Sequence, residues 1–277
     1  MRAILPTAAL LAAAAIAAGG CGSDDSGTAS AGGDGGDATK PGKVDVAKGV
    51  VFVEGIYSDK PPTKVTGVVF EKERGLVLTA NHAVEGAPRI DVTLPDGTVS
   101  HGELAARAQC HDLAVLRLRP KPTELTVVPL ADSSGAAIGQ PVKTLTYQPV
   151  EGDNRRLPPL GQVQGRIYGV NVSATFTPLP PTLPFIAHQT SLLPAASGSP
   201  LLDAQGRMIG LNTFVGHPRT PPDPGIEYAL TSDYVRTRLR ELKPGKGGAL
   251  GGWEAEHDSC HAALLKLLGK GHLGQHK

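Results

Sequence analysis

The feature that most constrains the fold is a long series of short apolar segments between residues 44 and 242. Gly, Pro or Asp separates neighbouring segments, and most segments are shorter than a typical helix, which is the pattern of strands joined by tight turns. The segments form two groups: 50–53, 67–70, 76–79, 90–94 and 113–118 in the first, and 141–147, 161–170, 186–190, 200–203, 208–214 and 226–230 in the second. The sequence therefore predicts an all-β fold of two β-barrels, at about residues 44–130 and 136–232.

Amino-acid composition further limits the fold classes and functions that this chain could have. The 35 Gly and 24 Pro residues among 277 argue against a helical bundle. Between residues 44 and 242 only 232–242 is typical of a helix, since it begins with Ser-Asp and ends before Pro244. With 27 basic and 26 acidic side chains and 4% aromatic residues, the chain lacks the basic field and stacking surfaces of nucleic-acid-binding proteins. We expect no nucleic-acid partner.

The N-terminus has the pattern of an export signal. Arg2 precedes an Ala- and Leu-rich run over residues 8–18, which is too short to span a membrane but fits the core of a signal peptide. Ala-Gly-Gly before Cys21 resembles the lipobox of bacterial lipoproteins, in which the cysteine becomes the lipidated first residue. We therefore expect a signal peptide over 1–20 and a lipid on Cys21 that anchors the protein to the outer face of the cell membrane. The alternative is a secreted protein whose ordinary signal peptide is cut nearby, leaving Cys21 free.

Both ends of the mature chain are predicted to lie outside the barrels. Residues 21–43 consist almost entirely of Gly, Ser, Asp, Ala and Thr, so they cannot bury enough apolar surface to offset the entropy of ordering. We expect a disordered tether there. The C-terminal extension, 243–277, contains a Leu- and Ala-rich pattern over 254–269 that is typical of a short amphipathic helix.

The cysteine count suggests one disulfide. If Cys21 carries lipid, Cys110 and Cys260 remain as an even pair, which an oxidising compartment would join. The competing interpretation of Cys260 is a metal site with His257 and His261, which lie at helical spacing from it. We expect no metal, because such a group near a chain end is more often a solvated turn.

Three motifs place a histidine, an aspartate and a serine in that order. Gly-Leu-Val-Leu-Thr-Ala-Asn-His is an apolar strand that ends at His82. His-Asp-Leu-Ala-Val-Leu-Arg-Leu puts Asp112 at the head of another apolar strand. Pro-Ala-Ala-Ser-Gly-Ser-Pro-Leu puts Ser197 in a tight turn of small residues. Each motif alone has an ordinary structural explanation, whereas the three in this order indicate a nucleophilic triad.

These motifs resemble those of the trypsin-like serine proteases, and most closely those of the HtrA-like bacterial branch. The resemblance covers nearly all of residues 44–242: 66–70 looks like the strand before the histidine, 206–213 like the strand after the serine, and 225–230 like the closing strand. It implies one chymotrypsin-like domain of two six-stranded antiparallel Greek-key β-barrels with a C-terminal helix. The residues after Leu242 are too few for the PDZ module of many HtrA-like proteins, so we expect none.

The resemblance also implies a serine-type endopeptidase that acts on protein or peptide substrates without a cofactor. Ser197 would attack the carbonyl carbon, and His82 would accept the serine proton and return it to the leaving amine. Asp112 would hold the imidazole and stabilise its charged form.

An oxyanion hole is implied at the backbone N–H groups of Ala195 and Ser197. Here the chain departs from the family pattern, which has Gly-Asn or Gly-Asp where this sequence has Ala195 and Ala196. Glycine permits backbone conformations that a Cβ disfavours. The two alanines therefore predict either a restricted loop or a different turn.

The primary substrate pocket is implied to lie between the segment before the serine and the strand after it. The residues at those positions are Ser191, Asn212, Thr213 and Phe214. None of them is a carboxylate, so we expect the pocket to accept a neutral, small or medium apolar side chain.

Two other functions remain to be weighed. The first is a catalytically silent protease-fold module that binds a peptide or a partner protein. The second is a serine esterase of the α/β-hydrolase kind, which is disfavoured because Ser197 lacks the Gly-x-Ser-x-Gly elbow and the order of the three motifs is wrong.

Overall fold

The computed structural model describes residues 45–149, 157–172, 183–214, 225–244 and 250–251. They lie within one structural unit, Lys43–Lys277. The expected signal peptide, tether, lipidated Cys21, C-terminal helix and metal-type cluster around Cys260 fall outside the described residues. Among the described residues, no group of His, Cys, Asp and Glu is arranged to hold a metal ion.

The described chain folds into two closed six-stranded barrels and one helix, which confirms the predicted fold class. The first barrel comprises β1 Val50–Ile56, β2 Thr63–Glu71, β3 Leu76–Ala80, β4 Arg89–Thr93, β5 Val99–Ala108 and β6 Leu113–Arg119. The second comprises β7 Pro141–Tyr147, β8 Leu160–Val172, β9 Phe185–His188, β10 Pro200–Leu202, β11 Met208–Phe214 and β12 Glu227–Thr231.

Both barrels share one strand order. The neighbours run β1-β2-β3-β6-β5-β4 in the first barrel and β7-β8-β9-β12-β11-β10 in the second, and every pairing is antiparallel. The third and sixth strands are thus neighbours although two strands separate them in sequence. This order brings the ends of distant chain segments together.

Continuous apolar runs arise because many strands are buried on both faces. In β1, Val51 and Val53 belong to the interior cluster of the first barrel, while Val50 and Phe52 belong to a cluster that also includes Phe185 and other second-barrel residues. One face of such a strand fills its own barrel and the other packs against the second barrel. The strand missing from the apolar pattern is β5, Val99–Ala108, in which Ser, His, Glu and Arg interrupt the apolar residues and the alternation of buried and exposed positions is irregular.

The helix α1, Ser232–Glu241, follows the last strand of the second barrel, as predicted, and packs against β11 and β12. Thr231 caps its first turn by accepting the N–H of Tyr234, and its Asp233 binds the hydroxyl and the backbone N–H of Ser133. A two-stranded hairpin follows, β13 Lys243–Pro244 and β14 Leu250–Gly251. In the part of the chain that the structure describes, no helix has the length and apolar character to cross a membrane.

Candidate active site

Pairing between β3 and β6 brings His82 and Asp112 together. Ala80, the last residue of β3, lies opposite Leu113, the first residue of β6. The chain that leaves β3 therefore runs beside the chain that enters β6, and Asn81 donates its backbone N–H to the carbonyl oxygen of Asp112 at 3.1 Å. His82 lies in the following 3-10 turn, Asn81–Ala83.

Asp112 is buried, 2% exposed, and its carboxylate accepts three hydrogen bonds. The backbone N–H of His82 donates to Oδ1 at 2.8 Å, and the Nδ1 of His82 lies 2.8 Å from Oδ2. The hydroxyl of Thr213 donates to Oδ2 as well. The backbone of Asp112 is left-handed, with φ 50°, a conformation that aspartate tolerates better than most residues. Three donors fix this carboxylate in position and orientation.

The imidazole of His82 is oriented by that carboxylate. A carboxylate only accepts hydrogen bonds, so Nδ1 carries a proton and Nε2 is the nitrogen that can take one up. Burial alone would lower the pKa of His82, but the hydrogen bond to Asp112 and the negative charges of Asp112 and Glu85 outweigh it and raise the pKa above 6.5. The side chain is 44% exposed, so one edge of the ring stays accessible.

Ser197 lies in a turn between β9 and β10. Pro194–Ala196 form a 3-10 helix, and Ser197 follows it with φ −52° and ψ 133°. The residue is 2% exposed. Thr66 of β2 donates its backbone N–H to the carbonyl oxygen of Ser197 at 3.1 Å. The serine turn of the second barrel is therefore attached to the barrel that holds His82 and Asp112.

A second attachment runs through β11. Gly198 donates its N–H to the carbonyl oxygen of Asn212 at 2.6 Å, and Asn212 donates its own N–H to the carbonyl oxygen of Ser199 at 2.9 Å. The next residue along β11, Thr213, is the one that binds Asp112. One strand thus positions both the serine turn and the aspartate.

The turn at Ala195 and Ala196 uses ordinary backbone conformations. Ala196 donates its N–H to the carbonyl oxygen of Leu193 at 2.9 Å, which closes the 3-10 turn. Of the described residues other than glycine, only Asp112 and Asn171 have a positive φ, so neither alanine bears that strain. Ala195 stands where the resemblance leads us to expect a glycine. The turn that forms here does not need glycine at that position.

The four expected pocket residues have different environments. Ser191 is exposed. Asn212 and Thr213 are buried, 1% and 0% exposed, and their side chains are bound within the protein. For Phe214 the structure describes the backbone, as the last residue of β11. The backbone N–H and carbonyl of Asn212 also have partners within the protein, in Ser199 and Gly198, so any contribution of Thr213 to substrate binding would come from its backbone groups.

A buried polar cluster lies under the serine turn, and sequence reasoning missed its central residue. His188 is 0% exposed; its Nε2 lies 2.8 Å from Asn212 Oδ1, and its Nδ1 lies 2.8 Å from the hydroxyl of Thr190. The amide nitrogen of Asn212 donates to the hydroxyls of Thr144 and Ser199. Burial lowers the pKa of His188 to about 4, with the bond to Asn212 opposing this only in part. His188 is therefore neutral at physiological pH.

A carboxyl group beside the expected pocket was also missed. Glu227 is the first residue of β12 and is paired with His188 of β9. Burial raises the pKa of Glu227 to about 7, partly offset by a hydrogen bond from the backbone N–H of Leu192. Leu192 directly follows Ser191. The sequence signal was the single acidic residue in the otherwise neutral closing strand.

The 3-10 turn just before Asp112, Gln109–His111, contains a histidine and a cysteine. His111 binds the hydroxyl of Tyr234 through Nδ1, which ties α1 to the turn that precedes Asp112. Cys110, in the same turn, is 5% exposed. Cys260 lies outside the described residues, so the predicted pairing stays a prediction.

This architecture has a counterpart among known proteins. A family model described as "Trypsin-like peptidase domain" matches residues 65–211, a range that contains the histidine, aspartate and serine motifs. The chain belongs to this family.

The relatives it matches are HtrA- and Do-type proteases. The serine protease Do-like HtrA of Bacillus subtilis is 32% identical over 183 residues, which are 64% of this chain and 38% of that protein. The periplasmic pH-dependent serine endoprotease DegQ of Escherichia coli is 29% identical over 177 residues, 64% of this chain and 36% of that protein. The chain thus spans well under half the length of these relatives.

A solved structure described as "HtrA-type protease AlgW with tripeptide" has the same fold. It superposes with a TM-score of 0.59 at 23% identity, covering 71% of this chain and 60% of that one.

Proposed function

We propose that this protein is a serine endopeptidase that hydrolyses peptide bonds with Ser197 as nucleophile, His82 as general base and Asp112 as the residue that orients the base. The observation that carries the proposal is the pair of 2.8 Å contacts between Asp112 and His82. A buried carboxylate that hydrogen-bonds to both the backbone and the ring of one histidine holds that ring in one tautomer.

The chemistry follows from the residue types. As the Ser197 oxygen bonds to the substrate carbonyl carbon, its proton moves to Nε2 of His82, and the carbonyl oxygen becomes an oxyanion. The imidazolium then gives the proton to the amine as the C–N bond breaks, leaving an acyl-enzyme. Water repeats the sequence and releases the second product, so the enzyme returns to its starting state.

The oxyanion hole is assigned to the N–H groups of Ala195 and Ser197. Support comes from the attachment of this turn to β2: Thr66 binds the carbonyl oxygen of Ala195 through its hydroxyl at 3.1 Å and that of Ser197 through its N–H. With these carbonyls directed toward Thr66, the turn has a fixed orientation before substrate arrives.

We further propose an extracytoplasmic location with a lipid anchor on Cys21. The supports are the lipobox-like sequence before Cys21 and the periplasmic designation of DegQ. The Cys110–Cys260 disulfide belongs to the same proposal. Cys110 is buried, and lipidation of Cys21 would leave Cys260 as its partner.

Degradation of an unfolded protein substrate tests the peptidase proposal. We expect the purified protein to cleave reduced, denatured casein and Ser197→Ala to lose that activity. Ser134→Ala, at an exposed serine of the described chain, is the matched control and should retain it. A folded wild-type protein that cleaves no more than Ser197→Ala would instead favour the silent peptide-binding module.

A further inference from the structure

A series of buried hydrogen bonds runs from the end of β9 to the serine turn. The hydroxyl of Thr190 lies 2.8 Å from Nδ1 of His188, and Nε2 of His188 lies 2.8 Å from Oδ1 of Asn212. The amide nitrogen of Asn212 lies 3.0 Å from the hydroxyl of Ser199 and 3.2 Å from its carbonyl oxygen. All four residues are at most 1% exposed. Because bulk water does not reach these groups, each of them depends on its protein partner.

The carbonyl oxygen of Ser199 fixes the direction of these hydrogen bonds. A carbonyl oxygen only accepts, so the Asn212 group that faces it is the NH₂ group, and the amide oxygen faces His188. Nε2 of His188 therefore carries the ring proton and donates it to this oxygen. Since the ring is neutral, with a pKa of about 4, Nδ1 has no proton and accepts the hydroxyl of Thr190. Every bond in the series is made in this one arrangement.

The series ends at residues that hold the serine turn. Ser199 donates its backbone N–H to the carbonyl oxygen of Ala196 at 2.9 Å, and its own carbonyl oxygen also accepts the backbone N–H of Asn212. Gly198 donates its N–H to the carbonyl oxygen of Asn212 at 2.6 Å. Asn212 thus binds both residues that follow Ser197. The orientation of its amide group bears directly on where the turn places the serine.

We infer that His188 is a positioning residue for Ser197, because its Nε2 proton holds the amide of Asn212 in the orientation that supports the serine turn. This inference deepens the proposed peptidase function and rests on it for the role of Ser197. Without a donor at position 188, the buried amide oxygen loses its partner. Reversing the amide would instead set its oxygen against the carbonyl oxygen of Ser199.

Either change would shift the serine turn and slow the chemistry more than it weakens substrate binding. A misplacement of about 1 Å can cost about 100-fold in rate, even when the substitution is remote from the reacting atoms. The effect should therefore appear in kcat and not in KM.

Two substitutions of His188 test this role. His188→Leu removes the donor and keeps a large side chain, whereas His188→Gln places an amide N–H near the position of Nε2 and is the conservative rescue. With casein as substrate, we expect His188→Leu to lower kcat by at least about tenfold and to change KM by less than about twofold. His188→Gln should keep kcat within about threefold of the wild-type value.

Val142→Ala is the matched control for loss of stability. Val142 belongs to the interior cluster of the second barrel and is 5% exposed, so its truncation destabilises this barrel through packing alone. We expect a lower midpoint of urea denaturation for this variant, with kcat unchanged. A kcat for His188→Leu no lower than that of Val142→Ala would overturn the inference.

Hydrogen–deuterium exchange provides a measurement that needs no turnover. The N–H groups of Gly198 and Ser199 are bonded within the turn, so their exchange reports how firmly the turn is held. In a peptide spanning residues 195–201, exchange should be at least about tenfold faster in His188→Leu than in the wild type, and unchanged in Val142→Ala. Unaltered exchange in His188→Leu would also overturn the inference. Faster exchange in His188→Leu, together with a wild-type protein that cleaves no casein, would support the positioning of the turn and count against the peptidase proposal alone.

Discussion

Thr66 joins the two barrels at Ser197: its backbone N–H donates to the carbonyl oxygen of Ser197 at 3.1 Å. Its hydroxyl accepts the backbone N–H of Tyr147 at 3.1 Å and donates to the carbonyl oxygen of Ala195 at the same distance. The residue is fully buried. A single side chain of β2 therefore links β7, the serine turn and the first barrel.

Replacing Thr66 with valine should lower both stability and activity, although valine has nearly the same size and shape as threonine. Thr66→Val keeps the shape but leaves the Tyr147 N–H and the Ala195 carbonyl without their partner, at a cost of about 1–3 kcal/mol. We expect a lower free energy of unfolding and slower substrate cleavage. Thr237→Val removes an exposed hydroxyl of α1 and is the control. Equal effects of the two substitutions on activity would contradict this role for Thr66.

Gly198 should not tolerate a side chain. Its φ is +79°, and a Cβ there would lie 2.1 Å from the carbonyl oxygen of Thr66. Gly97 has a similar φ of +86° but open space around its Cβ position. We expect Gly97→Ala to cost about 1 kcal/mol from backbone strain, whereas Gly198→Ala should cost several times more and abolish cleavage. Chemical denaturation of the two variants measures the difference in their free energies of unfolding. Similar losses of stability would contradict a steric clash at position 198.

Asp112→Asn should strongly reduce catalysis while leaving the fold intact. Asparagine fits the left-handed backbone at this position, so the fold should persist. It cannot hold His82 with Nδ1 protonated in the same way, and loss of this function costs about 10⁴ in rate in comparable triads. The expected result is an unchanged circular dichroism spectrum with kcat reduced by about that factor. A reduction of less than tenfold would argue that Asp112 has only a structural role.

Activity should rise with pH through a midpoint above 6.5. His82 must be neutral to accept the serine proton, and its pKa is raised by Asp112 and Glu85 against the effect of burial. Glu85→Gln removes one of the charges that raise this pKa, so the midpoint of kcat/KM against pH should move to lower pH. A profile that is flat from pH 5 to 8, or a midpoint that moves upward, would be inconsistent with His82 as the base.

Acid should destabilise the second barrel through His188. Its pKa is about 4 in the folded protein and about 6.5 when unfolded, so the unfolded state binds more protons between these values. Stability is fully present above pH 6.5 and is lost as the pH falls toward 4, by about 3 kcal/mol if His188 acts alone. His188→Gln should flatten this dependence in urea denaturation curves. An unaltered slope would show that other groups cause the acid sensitivity.

The sequence is sufficient for the fold class but not for the pairing of strands. A run such as Val50–Val53 identifies a strand buried on both faces, yet its composition does not say which face meets the other barrel. Strand β5 does not meet the same criterion because polar residues interrupt its apolar ones and its alternation is irregular. Its existence becomes evident only when the barrel closes.

The sequence likewise identifies only some of the residues of the candidate active site. His82, Asp112 and Ser197 are detectable because each lies in a short motif with a fixed order. Glu227 and His188 are not, because their significance comes from facing each other across two strands that are distant in sequence. Strand register, which depends on the whole barrel, supplies that information.

Labelling by a fluorophosphonate probe is the most direct test of the proposed chemistry, because the probe reacts with a serine hydroxyl activated by a neighbouring base. The protein would be treated at pH 8 and mapped by peptide mass spectrometry, alongside His82→Ala and a known serine protease. We predict a single stoichiometric adduct on Ser197 in the wild-type protein and none in His82→Ala. Absence of the adduct in folded wild-type protein, while the reference protease is labelled, would contradict the assignment of Ser197 as a nucleophile.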